Sequence, residues 1–165
     1  MLFRSFEQRL LEEITQRPGV NLSLGIINLR GLEEVASVLP EPLVGRVLMV
    51  TTQRLKNELR GRDIVGRWGN TRLAVILPAT PTSSVDAIFR RIQTYLAEAV
   101  PVDNSGEMTV LPAPCIGVVT RDQLETSEEF VRRAELAVEK ASALEDATVV
   151  YMSKPFILSD VNELR

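Results

Sequence analysis

The sequence contains no histidine and only one cysteine, and each absence removes a common kind of site. Without histidine, the chain lacks the commonest general base and metal ligand. The single cysteine, Cys115, excludes an intrachain disulfide and cannot form a zinc site alone, and its apolar surroundings predict a buried small side chain. No apolar run approaches about 18 residues, so no membrane-spanning helix is predicted.

A strong excess of charge is also absent. The formal net charge is −3 over 165 residues, of which 45% are hydrophobic and 25% charged. This balance predicts one globular domain over 1–165, with a core over about 1–152 and a tail over 153–165. It predicts no general attraction to nucleic acid and no insertion into a membrane. The N-terminus has no signal-peptide pattern, so a cytoplasmic protein is expected.

The hydrophobic periodicity predicts strands that alternate with helices. Helices are expected over 2–16, 32–39, 43–60, 82–99 and after Ser127, with a hairpin after the long helix. Strands are expected over 20–29 and 147–152, and 107–119 is expected to form one strand or a broken pair. Thr82 or Ser83, and Ser127, are the expected N-caps. Pro112 and Pro114 predict an edge position or a bend. This order alone indicates an α/β or α+β sandwich.

The most informative stretch is RGRDIVGRWGNTRLAVILP, from Arg60 to Pro78. Two β-type runs flank the polar insert Gly69-Asn70-Thr71, which predicts a β-hairpin. The second run is apolar at nearly every position, as expected for a strand covered on both faces. Ahead of the hairpin, Arg60-x-x-Asp63 follows a helical run that stops at Gly61.

This arrangement resembles the GGDEF family, the diguanylate cyclase domain, whose pattern is RxxD, five residues, GGDEF or GGEEF, and an apolar strand ending in proline. Here the signature positions are occupied by Gly69-Asn70-Thr71-Arg72-Leu73, and the later Cys115-Ile116-Gly117-Val118 also matches. The resemblance implies an α+β fold of the nucleotide-cyclase palm type, with a central, mostly antiparallel sheet flanked by helices. The family's preceding Asp-x-Leu-Thr segment is not in this sequence, so we expect a piece of a longer protein or a truncated one.

The resemblance also implies where an active site would lie. Active members bind magnesium through an aspartate at the end of the first strand and an acidic residue in the signature, and two carboxylates are the minimum for this chemistry. The corresponding positions are Asn28 for the metal, Asn70, Thr71 and Arg72 in the signature, Ala36 and Gly45 for guanine, and the vicinity of Ser142 and Asp146 for the phosphates. The family's groups are missing at all of them. The resemblance therefore predicts a degenerate domain with no catalytic residue, metal or cofactor.

Arg60 and Asp63, in contrast, retain the RxxD motif. In many family members this motif is an inhibitory site that binds cyclic di-GMP, and an arginine on the next helix, here Arg91, often joins it. Arginine suits a phosphate or a guanine edge, and aspartate accepts from guanine nitrogens. The alternative is purely structural, because a cation in the last turn of a helix is favourable and Arg60 can pair with Asp63.

Three functional hypotheses follow. The first is a catalytically inactive signalling domain that binds cyclic di-GMP at Arg60, Asp63 and Arg91 and acts on a protein partner. The second is a nucleotide-independent module for protein interaction or self-association, built on the same scaffold. The third is a residual cyclase or nucleotide hydrolase, which needs metal-binding carboxylates that we cannot place.

Overall fold

The structure is a computed structural model that describes residues 2–16, 21–122, 124–146 and 148–153. The helices are α1 Leu2–Gln16, α2 Arg30–Val35, α3 Glu41–Glu58, α4 Thr82–Leu96 and α5 Ser127–Ser142. The strands are β1 Leu22–Leu29, β2 Ile64–Arg67, β3 Arg72–Pro78, β4 Val100–Pro101, β5 Thr109–Val110, β6 Pro114–Thr120 and β7 Val149–Tyr151. In these ranges no helix has both the length and the apolar character needed to cross a membrane.

The main sheet has five strands in the order β2-β3-β1-β6-β7. Its pairs are antiparallel except β6 with β7, which confirms the predicted α+β class. Strand β1 lies in the centre and is buried at every position. Its end is held in register with both neighbours, since Asn28 pairs with Arg72 on β3 and with Cys115 on β6.

Helices cover both faces of this sheet. Apolar side chains of α3 and α4 pack on one face, and those of α1 and α5 pack on the other. Helix α5 approaches β6 so closely that a Cβ on Gly117 would lie 2.1 Å from the backbone nitrogen of Val138. Glycine is required there because any side chain would push the helix off the sheet. Trp68 contacts Phe6 edge-on, with ring centroids 5.9 Å apart, and so packs the end of the hairpin against α1.

Several local predictions need correction. The short β4–β5 hairpin was not predicted. Pro112 and Pro114 mark a bend, where Ala113 has a φ of 48°. Strand β6 is not an edge strand, since it lies between β1 and β7, and it tolerates Pro114 because that proline is its first residue. The tail assigned to 153–165 falls outside the described residues after Ser153.

Helix ends and faces also differ from expectation. Thr82 is the first residue of α4 and does not cap it, because Pro81 occupies the N-cap position. Thr126, one residue before the expected Ser127, caps α5 by accepting from the Glu129 backbone at 3.1 Å. Leu11, next to the buried Leu10 on α1, is 49% exposed.

A buried ion pair fastens α5 to the sheet. Arg133 donates to both carboxylate oxygens of Glu125 at 2.7 and 2.8 Å, and both side chains are buried. Arg133 also donates to the backbone carbonyls of Thr120 at 2.7 Å and Met152 at 2.6 Å. One guanidinium therefore joins the helix to the ends of β6 and β7, and its hydrogen-bonding partners offset its desolvation.

We predict that Arg133→Ala lowers the free energy of unfolding by about 3–5 kcal/mol, because it leaves the Glu125 carboxylate buried without a cation. Urea denaturation followed by circular dichroism measures this change. The neighbouring exposed arginine provides the control, and Arg132→Ala is expected to stay within about 0.5 kcal/mol of the parent. Equal effects of the two substitutions would contradict the assignment.

Candidate functional site

A chain of neutral hydrogen bonds lies at the end of β1. Asn28 is only 1% exposed. Its Nδ2 donates to Ser142 Oγ at 3.0 Å, and its Oδ1 accepts from Thr71 Oγ1 at 3.3 Å. Ser142 in turn donates to the Val138 carbonyl at 2.8 Å. The amide of Asn28 is thus satisfied by the hairpin loop on one side and by α5 on the other.

Backbone and arginine contacts hold the same three segments together. The Leu29 nitrogen donates to the Thr71 carbonyl at 2.9 Å. Arg30 donates from its guanidinium to the carbonyls of Leu144 and Glu145, just beyond the end of α5, the latter at 2.8 Å. These bonds tie the segment that follows α5 to the residue that follows β1. The end of β1, the hairpin loop and the end of α5 therefore form one rigid cluster.

The structure brings together only some of the positions that the sequence singled out. Asn28 and Thr71 are in contact, and Arg72 is half-buried and paired in register with Asn28. Asn70 is exposed in the hairpin loop. Ala36 is half-buried in the turn after α2, and Gly45 is exposed on α3, where a Cβ would meet nothing within 4 Å. The described hydrogen bonds do not join Gly45 to the Asn28 cluster.

The side chains that bond to Asn28 are uncharged hydroxyls, and the cationic residues Arg30 and Arg72 belong to the same cluster. Within the described part of the chain, no group of three or more carboxylate, histidine or cysteine side chains is placed to hold a metal ion. Cys115, the register partner of Asn28, is buried as predicted, and burial raises the pKa of its thiol. A thiol in that state is a poor nucleophile.

Arg60 and Asp63 form a tight turn after α3. The Asp63 Oδ2 accepts from the Arg60 backbone nitrogen at 2.8 Å, and the Asp63 nitrogen donates to the Arg60 carbonyl at 3.0 Å. The carboxylate therefore binds the Arg60 backbone and not its guanidinium, so the simple ion pair of the structural alternative does not form. Helix α3 ends at Glu58, two residues earlier than predicted, which leaves the exposed Arg60 beyond its last turn.

Arg91 lies on α4 and reaches the end of α3. Its Nε donates to Glu58 Oε2 at 2.7 Å, two residues before Arg60. The structure therefore brings Arg91 to the same end of α3 as Arg60 and Asp63. The sequence reasoning missed Glu58, although one signal was present: a glutamate in the last turn of a helix opposes the helix dipole, and a nearby cation offsets this cost.

Burial predicts opposite stability effects at two of the singled-out positions. Asn28→Ala is expected to destabilise the fold by about 1–3 kcal/mol, because Thr71 and Ser142 lose a buried partner. Gly45→Ala is expected to stabilise it by about 0.5–1 kcal/mol, because the exposed helical site has room for a methyl group. Chemical denaturation of both variants measures the two changes. A stabilising Asn28→Ala would show that the cluster contributes nothing.

Comparison with known proteins agrees with this fold. The family model described as "Diguanylate cyclase, GGDEF domain" matches residues 2–146. The probable diguanylate cyclase DgcC of Escherichia coli (strain K12) is 26% identical over 141 residues, which cover 84% of this chain and 37% of DgcC. The diguanylate cyclase DgcP of Pseudomonas aeruginosa is 24% identical over 139 residues, which cover 83% of this chain and 20% of DgcP. The chain thus spans well under half the length of either relative.

Solved structures give the same result. The diguanylate cyclase SiaD of Pseudomonas aeruginosa, in complex with its activator SiaC, superimposes with a TM-score of 0.79 at 25% identity, over 90% of this chain and 57% of SiaD. The GGDEF domain of DgcB from Caulobacter crescentus, in complex with c-di-GMP, superimposes with a TM-score of 0.80 at 14% identity. The superposition covers 90% of this chain and 89% of the DgcB chain. The family model covers most of the chain, and the protein belongs to the GGDEF family.

Proposed function

We propose that this chain is a GGDEF domain without cyclase activity that binds cyclic di-GMP through Arg60, Asp63 and Arg91 and passes the signal to a protein partner. The observation that carries the proposal is a contrast between two sites. At the end of β1 the buried amide of Asn28 bonds to the half-buried hydroxyls of Thr71 and Ser142, whereas the end of α3 presents charged side chains to solvent.

The inactivity rests on the donor set at the end of β1. Magnesium prefers carboxylates and phosphate oxygens, and here the candidate ligands are the Asn28 amide and the Thr71 hydroxyl, which already bond to each other. Arg72 adds a cation beside them. These residues do not fit a magnesium ion. Ala36 and Gly45 have no side-chain group to recognise guanine.

The binding half of the proposal rests on chemistry that the fold leaves available. The Arg60 guanidinium makes no ion pair with the described residues, and Asp63 uses only Oδ2 in its turn. The contact of Arg91 with Glu58 uses Nε, so it leaves the two terminal guanidinium nitrogens of Arg91 for contacts with a ligand. Two guanidinium groups and a carboxylate oxygen match the phosphates and guanine edges of a cyclic dinucleotide. The relative DgcB, whose solved structure contains c-di-GMP, supports this ligand class.

The partner half rests on exposed apolar side chains. Val38 is 78% exposed, and Met49 and Leu111 are each 66% exposed. Among these residue types, methionine is enriched where proteins bind one another. The related SiaD is described in complex with a protein activator. A ligand that contacts both α3 and α4 would favour one arrangement of these packed helices, and a partner that distinguishes the arrangements would respond to it.

The first test is incubation of the purified protein with GTP and Mg²⁺, followed by chromatographic analysis of the nucleotides. We expect no cyclic di-GMP and no pyrophosphate above a blank, because the metal position lacks a carboxylate. DgcC treated in parallel serves as a control for the assay conditions. Turnover that is lost on Asn28→Ala would overturn the proposed inactivity.

The second test is calorimetric titration with cyclic di-GMP. We expect binding with a Kd on the order of 10 µM, weakened at least ten-fold by Arg60→Ala because a charge-assisted contact to phosphate is lost. Arg132→Ala, on the opposite face of the sheet, is expected to leave the Kd unchanged. If the folded parent does not bind at about 100 µM, the receptor function is wrong. A stable dimer or a captured protein partner would then favour the nucleotide-independent module.

A further inference from the structure

We infer that Glu58 limits the affinity of the Arg60–Asp63–Arg91 site for cyclic di-GMP, so that the site is set to respond only to high ligand concentrations. This inference rests on the proposed function and adds a residue that regulates it. Glu58 is the last residue of α3 and lies across from Arg91 on α4. Its Oε2 accepts from Arg91 Nε at 2.7 Å.

The geometry makes Glu58 a competitor for the same cation. The Glu58 side chain is 23% exposed and that of Arg91 57% exposed. The carboxylate is thus the less solvated partner, and its field is screened less by water and salt than that of a fully exposed group. A phosphate that approaches Arg91 either displaces Glu58 or stays beside a second negative charge. Both outcomes reduce the free energy gained on binding.

The charge balance of the site gives the same direction. Arg60 and Arg91 are cationic, and Asp63 and Glu58 are anionic, so the four formal charges cancel. Cyclic di-GMP carries two phosphodiester charges, so the negative charge of Glu58 weakens the attraction of these four side chains to it. Asp63 has an unused oxygen that can accept from guanine, whereas Glu58 Oε2 is already bound to the arginine that phosphate needs.

The position of Glu58 within its helix is also unfavourable. A carboxylate in the last turn lies at the negative end of the helix dipole, where Lys or Arg is stabilising. Lys56 is the favourable residue of that turn, and Glu58 opposes it. A residue that breaks a local rule without benefit to its own helix indicates a role elsewhere. Here that role is to neutralise Arg91 until ligand arrives.

The test is calorimetric titration with cyclic di-GMP of the parent chain, Glu58→Gln and Glu139→Gln. Glutamine keeps an oxygen that can accept from Arg91 Nε, so Glu58→Gln removes the charge and preserves the contact. Glu139 is exposed on α5, on the other face of the sheet, and its substitution changes the net charge of the protein equally. We expect Glu58→Gln to lower the Kd about three- to ten-fold at about 0.1 M salt, with a smaller difference at higher salt.

The outcomes separate this inference from the function on which it rests. Tighter binding by Glu58→Gln with no change in Glu139→Gln supports the competitive role of Glu58. A parent that binds while Glu58→Gln binds equally or more weakly overturns the inference and leaves the receptor function standing. An equal gain in both variants assigns the effect to net charge and also overturns it. If neither the parent nor Glu58→Gln binds at about 100 µM, the receptor function itself fails.

Discussion

Burial of the central strand on both faces is the constraint that the rest of this structure obeys. Every residue of β1 is buried between β3, β6 and the two helix layers, and Asn28 at its end is as little exposed to solvent as the apolar core residues. An isolated carboxylate in such a place is costly unless a cation or several donors accompany it. A neutral amide avoids that cost, and the contacts with Thr71 and Ser142 satisfy its polar atoms.

Helix α5 connects this position to the stability of the whole domain. Its close approach at Gly117, the Arg133–Glu125 pair and the Asn28–Ser142 bond lie along one helix-to-sheet contact. Because interiors are close-packed, a change at one of these points is transmitted along the helix. The end of β1 therefore belongs to the structural core of the protein, and its side chains stabilise the fold whatever their relation to a ligand.

The contacts at the end of α3 differ from those of the core because their side chains are exposed to solvent. Arg60 is exposed, Arg91 is more than half exposed, and the Asp63 turn is local. Contacts there are exchanged with water at small cost, and their strength depends on salt and on neighbouring charges. Such a site can gain or lose affinity through one substitution, as we infer for Glu58, without any effect on the core. In our proposal, signalling is confined to this solvated region, where it does not compete with folding.

The sequence by itself determined the order of the five helices and the hairpin at 64–78, because apolar periodicity and turn residues are local signals. Periodicity left the α/β and α+β classes open, and the family resemblance selected α+β. The sequence also placed Cys115 in the core and Arg91 on the helix after the hairpin. It missed the β4–β5 hairpin, whose strands have only two residues each, and it placed the cap of α5 one residue late, since neighbouring Thr126 and Ser127 are both good caps.

Only the tertiary structure decided which side chains meet. Asn28 and Ser142 are 114 positions apart, and Glu58 and Arg91 are 33 apart. No spacing rule relates such pairs, because their contact depends on sheet order and on how α4 and α5 pack against it. Whether Asp63 binds a side chain or its own backbone turn was likewise decided by the geometry after α3, where the chain leaves the helix two residues early.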